Sequence, residues 1–230
     1  MPPRPRAGLT RDHVCRTALE LVDREGVDAL SMRRLGRELG VEAMSLYSYV
    51  TSKQDLVEGV VEQVFREMPL VSPGPGPWQE RLRIYAATFR DVLLRHPETV
   101  RLVAGRPLIN DGTMAFVESA LVELRGYGLD LATADKVLGV IAAFVIGHVA
   151  EEVGDASRRR AGFVPPAPGG EEAQRFPNIS GLWQSDPPDR DAEFAFGFEF
   201  VIAGIERLLD AGRGAGAGAG PGASDERESA

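Results

Sequence analysis

The chain has 230 residues, of which 43% are hydrophobic and 26% charged, shares that allow a buried core and exclude collagen-like and wholly disordered proteins. Its formal net charge is -8, but residues 1–53 hold nine basic against seven acidic side chains. A slightly basic end on an acidic chain permits contact with phosphate groups at that end alone.

The first fifty residues predict three short helices. The first is amphipathic and lies between Thr10, a candidate N-cap, and Gly26. The second opens at Ser31 and ends at Gly40, because glycine adopts the left-handed conformation that closes a helix. A third helix begins at residue 42 or 43, after a three-residue turn. This spacing is typical of a helix-turn-helix motif, although other helical hairpins share it.

The rest of the chain has helical periodicity and no strand alternation, so the sequence predicts an all-α protein. A capping box from Ser52 to Asp55 opens a fourth helix near residue 53. A proline- and glycine-rich segment at 72–77 ends it. We predict further helices at about residues 77–96, 98–104, 111–126, 131–154 and 190–211. Residues 155–189 predict a mobile flap with one or two helical turns around Phe176 and Trp183.

These elements divide the chain into five segments. We predict a flexible arm at 1–8, a helix-turn-helix head at 9–52, a connecting helix at 53–70, a helical body at 71–211 and a disordered tail at 212–230.

Nothing in the sequence predicts export or a membrane segment. The longest apolar run is interrupted by Gly147 and His148, short of the roughly 18 residues that a membrane helix needs. No apolar stretch follows Arg4 and Arg6, so we expect no signal peptide and a cytoplasmic protein without membrane contact. The single cysteine, Cys15, excludes an internal disulfide and a cysteine-based zinc site.

Residues 9–65 resemble the DNA-binding head of the tetracycline-repressor (TetR) family. The resemblance lies in the segments Leu30–Leu35, Leu39–Val41 and Leu46–Val50. The body more loosely resembles the tetracycline-repressor subgroup, for example at Gly105-Arg106-Pro107 and at Phe194–Glu199. The resemblance implies a homodimeric repressor whose heads bind a palindromic DNA operator and whose bodies bind a small-molecule inducer.

The resemblance also implies the residues that contact DNA. Arg33 matches an arginine that binds guanine, and the fork of its guanidinium suits the two acceptors of that base. Ser45, Tyr47 and Lys53 match contacts to base edges or to the DNA backbone, although Tyr47 could instead be a core aromatic residue. The head departs from the tetracycline repressor at other positions, which predicts a different operator. These positions are Ala43, Met44, Ser48 and Tyr49. We expect Ser45, Ser48 and Tyr49 to be exposed on the third helix.

The inducer pocket departs further from the tetracycline repressor. Leu102, Tyr85 and Pro69 replace two histidines and an asparagine that bind the drug or its magnesium ion, so we predict a largely apolar or aromatic inducer that needs no metal or cofactor. Residues with counterparts in the family's pocket are Phe89, Arg106, Pro107 and Glu151. We add to the lining Phe65, Val103, Val117, Leu138, Phe144 and His148, with Phe176 and Trp183 on the flap. The alternative for each aromatic residue is an ordinary core position.

The last predicted helix is apolar on nearly every face, as a helix buried between subunits would be. Glycines on it and on the helix at 131–154 would let backbones approach closely, so we predict a symmetric four-helix dimer interface. Its predicted residues are Gly139, Gly147, Gly197, Val201, Gly204, Ile205 and Leu208.

The sequence contains no arrangement that supports catalysis. We find no Ser-His-Asp set, no paired carboxylates and no phosphate loop after a strand, so we predict that the chain is not an enzyme. His148, Glu151 and Glu152 have the spacing of a helical metal site, but no second histidine lies nearby, which favours a hydrogen-bonding role. The alternative overall is a helical small-molecule-binding protein or enzyme whose head serves assembly.

Overall fold

The computed structural model describes residues 9–71, 74–104, 110–163, 169–183 and 189–217. Within these ranges the chain forms eleven α-helices, two 3-10 turns and no strand, which confirms the all-α prediction. The predicted arm at 1–8 and residues 218–230 of the predicted tail lie outside the described part of the chain.

The helices divide into a head and a body. The head contains α1 (Arg11–Glu25), α2 (Met32–Glu38), α3 (Ala43–Leu46) and α4 (Lys53–Arg66). The body contains α5 (Trp78–Arg95), α6 (Val100–Ala104), α7 (Asp111–Gly126), α8 (Leu131–Arg160), α9 (Gly170–Arg175), α10 (Pro177–Trp183) and α11 (Arg190–Ala217). The 3-10 turns span Val27–Ala29 and Pro97–Thr99.

Side-chain caps start three of the four head helices at the predicted positions. Thr10 accepts a hydrogen bond from the backbone N–H of His13, and Ser31 and Ser52 cap α2 and α4 in the same way. Gly40 has a φ of +64°, the left-handed conformation predicted for it. The third helix is shorter than predicted, since its α-helical part is one turn.

The head packs around fully buried aliphatic side chains from each of its helices, including Leu21, Leu35, Leu46 and Leu56. Helix α1 lies against α4, and α2 lies against α3. This packing fixes α3 at the edge of the head, where one side of it faces solvent.

Three predicted helix ends differ from the structure. Helix α4 stops at Arg66 and not at residue 70, because Pro69 disfavours helix in the residue before it. Helix α8 continues to Arg160, where Asp155 pairs with Arg158 and with Arg190 at the start of α11. Helix α11 continues to Ala217, so residues 212–217 are not the disordered start of the tail. These residues extend an existing helix, which needs no new nucleus, although three of the six are glycines.

Helix α8 is the central helix of the body and packs against α5, α6, α7 and α11. Its buried residues recur about once per turn and form one stripe, at Ala134, Val137, Ile141, Val145 and Val149. By length and composition α8 is also apolar enough to cross a membrane, so the prediction that no segment meets this criterion is wrong. Much of its apolar surface lies outside the core of the single chain.

A histidine joins the head to the body. His96, at the C-terminal end of α5, places Nδ1 2.8 Å from Oδ2 of Asp23 on α1 and Nε2 3.0 Å from Oε1 of Glu67 after α4. The ring is buried, and burial raises the pKa of the Asp23 carboxyl. His96 thereby links the C-terminal ends of α5 and α4 to α1 by direct hydrogen bonds.

Candidate DNA-binding surface and ligand cavity

The turn between α2 and α3 presents a mixed polar and apolar surface to solvent. Arg33, Ser48 and Lys53 are exposed, and Met44 on α3 is 70% exposed. Tyr47 is 46% exposed while its neighbour Leu46 is fully buried, so Tyr47 is not a core aromatic residue. Ala43 and Ser45 are half-buried.

Tyr49 differs from the prediction. Its ring packs against the head core, and its hydroxyl oxygen is buried without a hydrogen-bond partner among the described residues. The hydroxyl is therefore not presented to a molecule at the surface of the head. The predicted exposure of Tyr49 is wrong because the short α3 turns this side chain back toward the core.

Two of the basic side chains near α3 are not tied into ion pairs within the described part of the chain. Arg34 donates to Glu25 and, at 2.7 Å, to Glu38, so its charge is already neutralised. Arg33 and Lys53 are exposed and form no ion pair with another described residue. Their charges are available to an external anion or to the acceptors of a base.

A cavity of about 470 Å³ lies in the body between α4, α5, α7 and α8. Its wall is mostly aromatic and aliphatic and includes Phe116 on α7. The Phe116 ring lies 5.5 Å from that of Phe65 on α4 and 5.8 Å from that of Tyr85 on α5, measured between centroids. This size and composition are typical of sites for small organic molecules.

Polar groups line one part of the cavity. The Arg81 Nε donates to Oε1 of Glu123 at 2.9 Å, and the Tyr127 hydroxyl donates to the same oxygen at 2.7 Å. Burial raises the pKa of Tyr127, so this hydroxyl keeps its proton. Tyr85 donates its hydroxyl proton to the carbonyl oxygen of Pro69 at 2.6 Å.

Two family models match the chain. The model of bacterial regulatory proteins of the tetR family matches residues 15–60, and the model of the tetracyclin repressor-like C-terminal domain matches residues 69–209. The chain belongs to the TetR family. TetR-family proteins are DNA-binding transcription regulators with a ligand-binding body and are not enzymes, so the alternative of an assembly head on an enzyme is excluded.

Relatives of known name belong to the same TetR family. A helix-turn-helix transcriptional regulator of Saccharopolyspora erythraea is 32% identical over 200 residues, covering 86% of this chain and 84% of the relative. The transcriptional repressor DrrR1 of Streptomyces coeruleorubidus is 30% identical over 224 residues, covering 91% and 82%. The structure of ActR of Streptomyces coelicolor in complex with actinorhodin matches with a TM-score of 0.74 and 31% identity, covering 87% and 96%.

Six of the residues predicted for the inducer pocket of this TetR-family protein line the cavity. They are Phe65, Tyr85, Phe89, Val103, Val117 and Leu138. Leu102 is buried but is not part of the lining. Arg106 and Pro107 lie outside the described residues, as does the side chain of Trp183.

Four other predicted pocket residues lie away from the cavity. The Phe144 and His148 rings pack against Phe194 of α11, with centroid distances of 5.3 and 5.2 Å, and so form the contact between α8 and α11. The Glu151 side chain is exposed, 3.8 Å from Arg190. Phe176 is exposed before α10. The helical period predicted their helices but not which neighbour each side chain meets.

Sequence reasoning missed the polar part of the cavity and much of its apolar lining on α5, α7 and α8. The missed residues are Val71, Arg81, Leu82, Ala86, Phe116, Ala120, Glu123, Leu124, Tyr127, Asp135, Gly139, Ile141, Ala142 and Ile146. The apolar residues of α7 recur at helical spacing, which is a usable signal. Arg81 and Glu123 belong to no motif, and only the packing of both α5 and α7 on α8 brings them together.

The predicted interface glycines have different surroundings in this TetR-family chain. A Cβ at Gly197 would lie 2.7 Å from the Phe144 ring of the same chain, so this glycine serves packing within the subunit. Gly147 and Gly204 have no atom within 4 Å of such a Cβ. Gly139 lines the cavity. Of the remaining predicted residues, Ile205 is buried in the chain, Val201 is half-buried and Leu208 is exposed.

Proposed function

We propose that this chain is a homodimeric transcriptional repressor, acting in the cytoplasm, that binds a palindromic operator and is released by a largely apolar or aromatic inducer. The observation that carries the proposal is the aromatic cavity, because its wall includes Phe65 on α4, the last helix of the head. A ligand in the cavity therefore touches α4, whose first residue, Lys53, belongs to the candidate DNA-binding surface.

The head supports a role in reading DNA sequence. A helix at the edge of the head fits the major groove, where Arg33 can donate two hydrogen bonds to guanine. Met44, exposed on α3, offers an apolar contact of the kind that the methyl group of thymine makes. Lys53 at the start of α4 suits a phosphate. DrrR1, to which this chain is similar, is named as a repressor.

Exposed apolar residues on α8 and α11 support the homodimer. Val140, Phe196, Phe200 and Leu208 are each between 46% and 69% exposed in the single chain. A contiguous apolar surface on adjacent helices marks an interface in a water-soluble protein. A second copy related by a two-fold axis would bury it against itself and place two heads on successive major grooves, about 34 Å apart.

Ligand binding can reach the heads by two connections. Helix α4 packs on α7 in the body and on α1 in the head, and His96 binds both Asp23 and Glu67 at the junction. An inducer that favours a different position of α4 would change the distance between the heads of a dimer and thus weaken operator binding. ActR is described in complex with actinorhodin, which supports a small organic molecule as the inducer.

The proposal is tested with DNA selected from a random library by the purified protein. Binding of the selected DNA is measured by fluorescence anisotropy while hydrophobic aromatic compounds are added, with and without a chelator. We expect a palindromic site, release by at least one aromatic compound, and no effect of the chelator. Release that disappears with the chelator would contradict a metal-free inducer, and a selected site without two-fold symmetry would contradict the dimer.

A matched pair of variants locates the site of release. Val117 lines the cavity on α7, whereas Val122 on the same helix is 53% exposed. Val117→Phe fills part of the cavity and is expected to abolish release while leaving DNA binding intact. Val122→Phe adds the same group outside the cavity, and we expect this variant to be released from DNA by the inducer like the parent protein. Equal release by both variants would contradict the cavity as the inducer site.

A further inference from the structure

We infer that Glu123 selects the inducer by accepting a hydrogen bond from a hydroxyl or amino group on an uncharged aromatic ligand. The inference rests on the proposed function, since it assumes that the cavity between α4, α5, α7 and α8 holds the inducer. Glu123 lines this cavity and is 5% exposed, so its carboxylate is almost completely removed from bulk solvent.

The two oxygens of Glu123 are used unequally. Oε1 accepts hydrogen bonds from the Arg81 Nε at 2.9 Å and from the Tyr127 hydroxyl at 2.7 Å. Oε2 accepts none from any residue that the structure describes. Glu123 Oε2 is not fully enclosed by protein atoms, so a molecule in the cavity can reach it. Most polar atoms in nearly buried positions find a partner in the protein, a ligand or water. A ligand that donates a hydrogen bond to Oε2 is therefore expected to bind more tightly than a ligand that does not.

The other polar groups of the lining favour the same class of ligand. Tyr85 commits its hydroxyl proton to Pro69 and therefore offers only lone pairs to a ligand. Arg81 commits Nε to Glu123 and Nη1 to the carbonyl oxygens of Gly74 and Gly76, and its charge is neutralised by Glu123. Asp135 adds a second carboxylate to the lining. Apart from Nη2 of Arg81, these polar groups offer acceptors, and the two carboxylates disfavour an anionic ligand.

Three naphthalene probes that differ in one substituent test the inference on the full-length protein without DNA. They are 2-naphthol, which donates, 2-methoxynaphthalene, which only accepts, and 2-naphthoate, which is anionic. Binding is measured by calorimetry and by the fluorescence of Trp78, whose ring centroid lies 5.3 Å from that of Tyr127. We expect 2-naphthol to bind at least about tenfold more tightly than either other probe, since hydrogen bonds to charged groups have that effect.

Variants assign the preference to Glu123. Glu123→Gln keeps the shape of the side chain but replaces an acceptor with a donor, and we expect it to lose the preference for 2-naphthol. Glu118→Gln makes the same change at an exposed position on α7 and is expected to keep it. Tyr127→Phe frees a second acceptor on Glu123 and is expected to enlarge the preference, which gives a measurement even if Glu123→Gln folds poorly.

The outcomes separate this inference from the proposed function. Equal binding of 2-naphthol and 2-methoxynaphthalene by the parent protein overturns the role of Glu123 and leaves the cavity as the inducer site. A preference that survives in Glu123→Gln, or that disappears in Tyr127→Phe, assigns selection to another group and also overturns it. If none of the probes binds the parent, or if Val117→Phe binds them like the parent, the cavity is not the ligand site and both proposals fail.

Discussion

The variants Gly197→Leu and Gly204→Leu distinguish a glycine that packs within one subunit from a glycine at the contact between two subunits. Both glycines lie on α11. A Cβ at Gly197 would lie 2.7 Å from Cε2 of Phe144 in the same chain, whereas a Cβ at Gly204 meets no atom within 4 Å. The same substitution is therefore expected to destabilise the subunit at the first position and to weaken its association at the second.

The expected magnitude at Gly197 follows from the surroundings of Phe144. The contact of 2.7 Å falls 0.7 Å short of the 3.4 Å at which ordinary contact begins. The ring has little room to retreat, because its centroid lies 5.3 Å from that of Phe194 and 5.7 Å from that of Phe198. Overfilling a packed core costs about 1–3 kcal/mol, and replacing a helical glycine recovers up to about 1 kcal/mol. The middle of each range gives a net loss of about 1.5 kcal/mol, which lowers the melting temperature by roughly 3–6 °C.

Thermal unfolding and sedimentation at several protein concentrations measure both effects. Gly197→Leu should melt below the parent by a similar amount at every concentration. Gly204→Leu should dissociate more readily, with a dimer Kd raised about tenfold or more, which corresponds to about 1.4 kcal/mol. Gly212 is exposed near the end of the same helix, so Gly212→Leu is the control and should change neither the melting temperature nor the dimer Kd. A parent-like melting temperature for Gly197→Leu, or an unchanged dimer for Gly204→Leu, would refute the reasoning.

Three further predictions concern the head and its junction with the body. Arg33→Ala should lose about 1–3 kcal/mol of binding free energy on the selected operator and relax selectivity at one base pair per half-site, whereas Lys53→Ala should weaken binding to all DNA sequences alike and reduce its salt dependence. Titrations at several salt concentrations check both variants. An unchanged salt slope for Lys53→Ala would contradict a phosphate contact. Burial raises the pKa of Cys15 to about 11, so a thiol reagent at neutral pH should modify it only after unfolding, and rapid modification of the folded protein would show that the thiol is accessible. Because the pKa of Asp23 is raised, the folded state binds more protons than the unfolded state above the ordinary carboxyl pKa of about 3.9, so the contribution of Asp23 to stability falls as the pH rises through that range. Asp23→Asn should therefore gain stability relative to the parent as the pH rises over the same range. Parallel plots of melting temperature against pH for the two proteins would contradict this.

The sequence by itself determined the head and the fold class. The N-caps at Thr10, Ser31 and Ser52 and the left-handed Gly40 depend on contacts between residues three or four apart, so local chemistry is sufficient to predict them. Helical periodicity likewise identified the long helices of the body. It was less reliable at their ends, because α8 and α11 are extended by ion pairs and by helix propagation.

Only the tertiary structure decided which side chains meet inside the body. Glu123 and Arg81 are 42 positions apart, and His96 and Asp23 are 73 apart. An amphipathic pattern shows that one face of a helix is buried but not which neighbouring helix covers it. For this reason Phe144 and His148, predicted for the pocket, pack against α11, while Phe116 on α7 lines the cavity. The polar part of the cavity exists only because α5 and α7 both pack on α8 in positions from which Arg81 reaches Glu123.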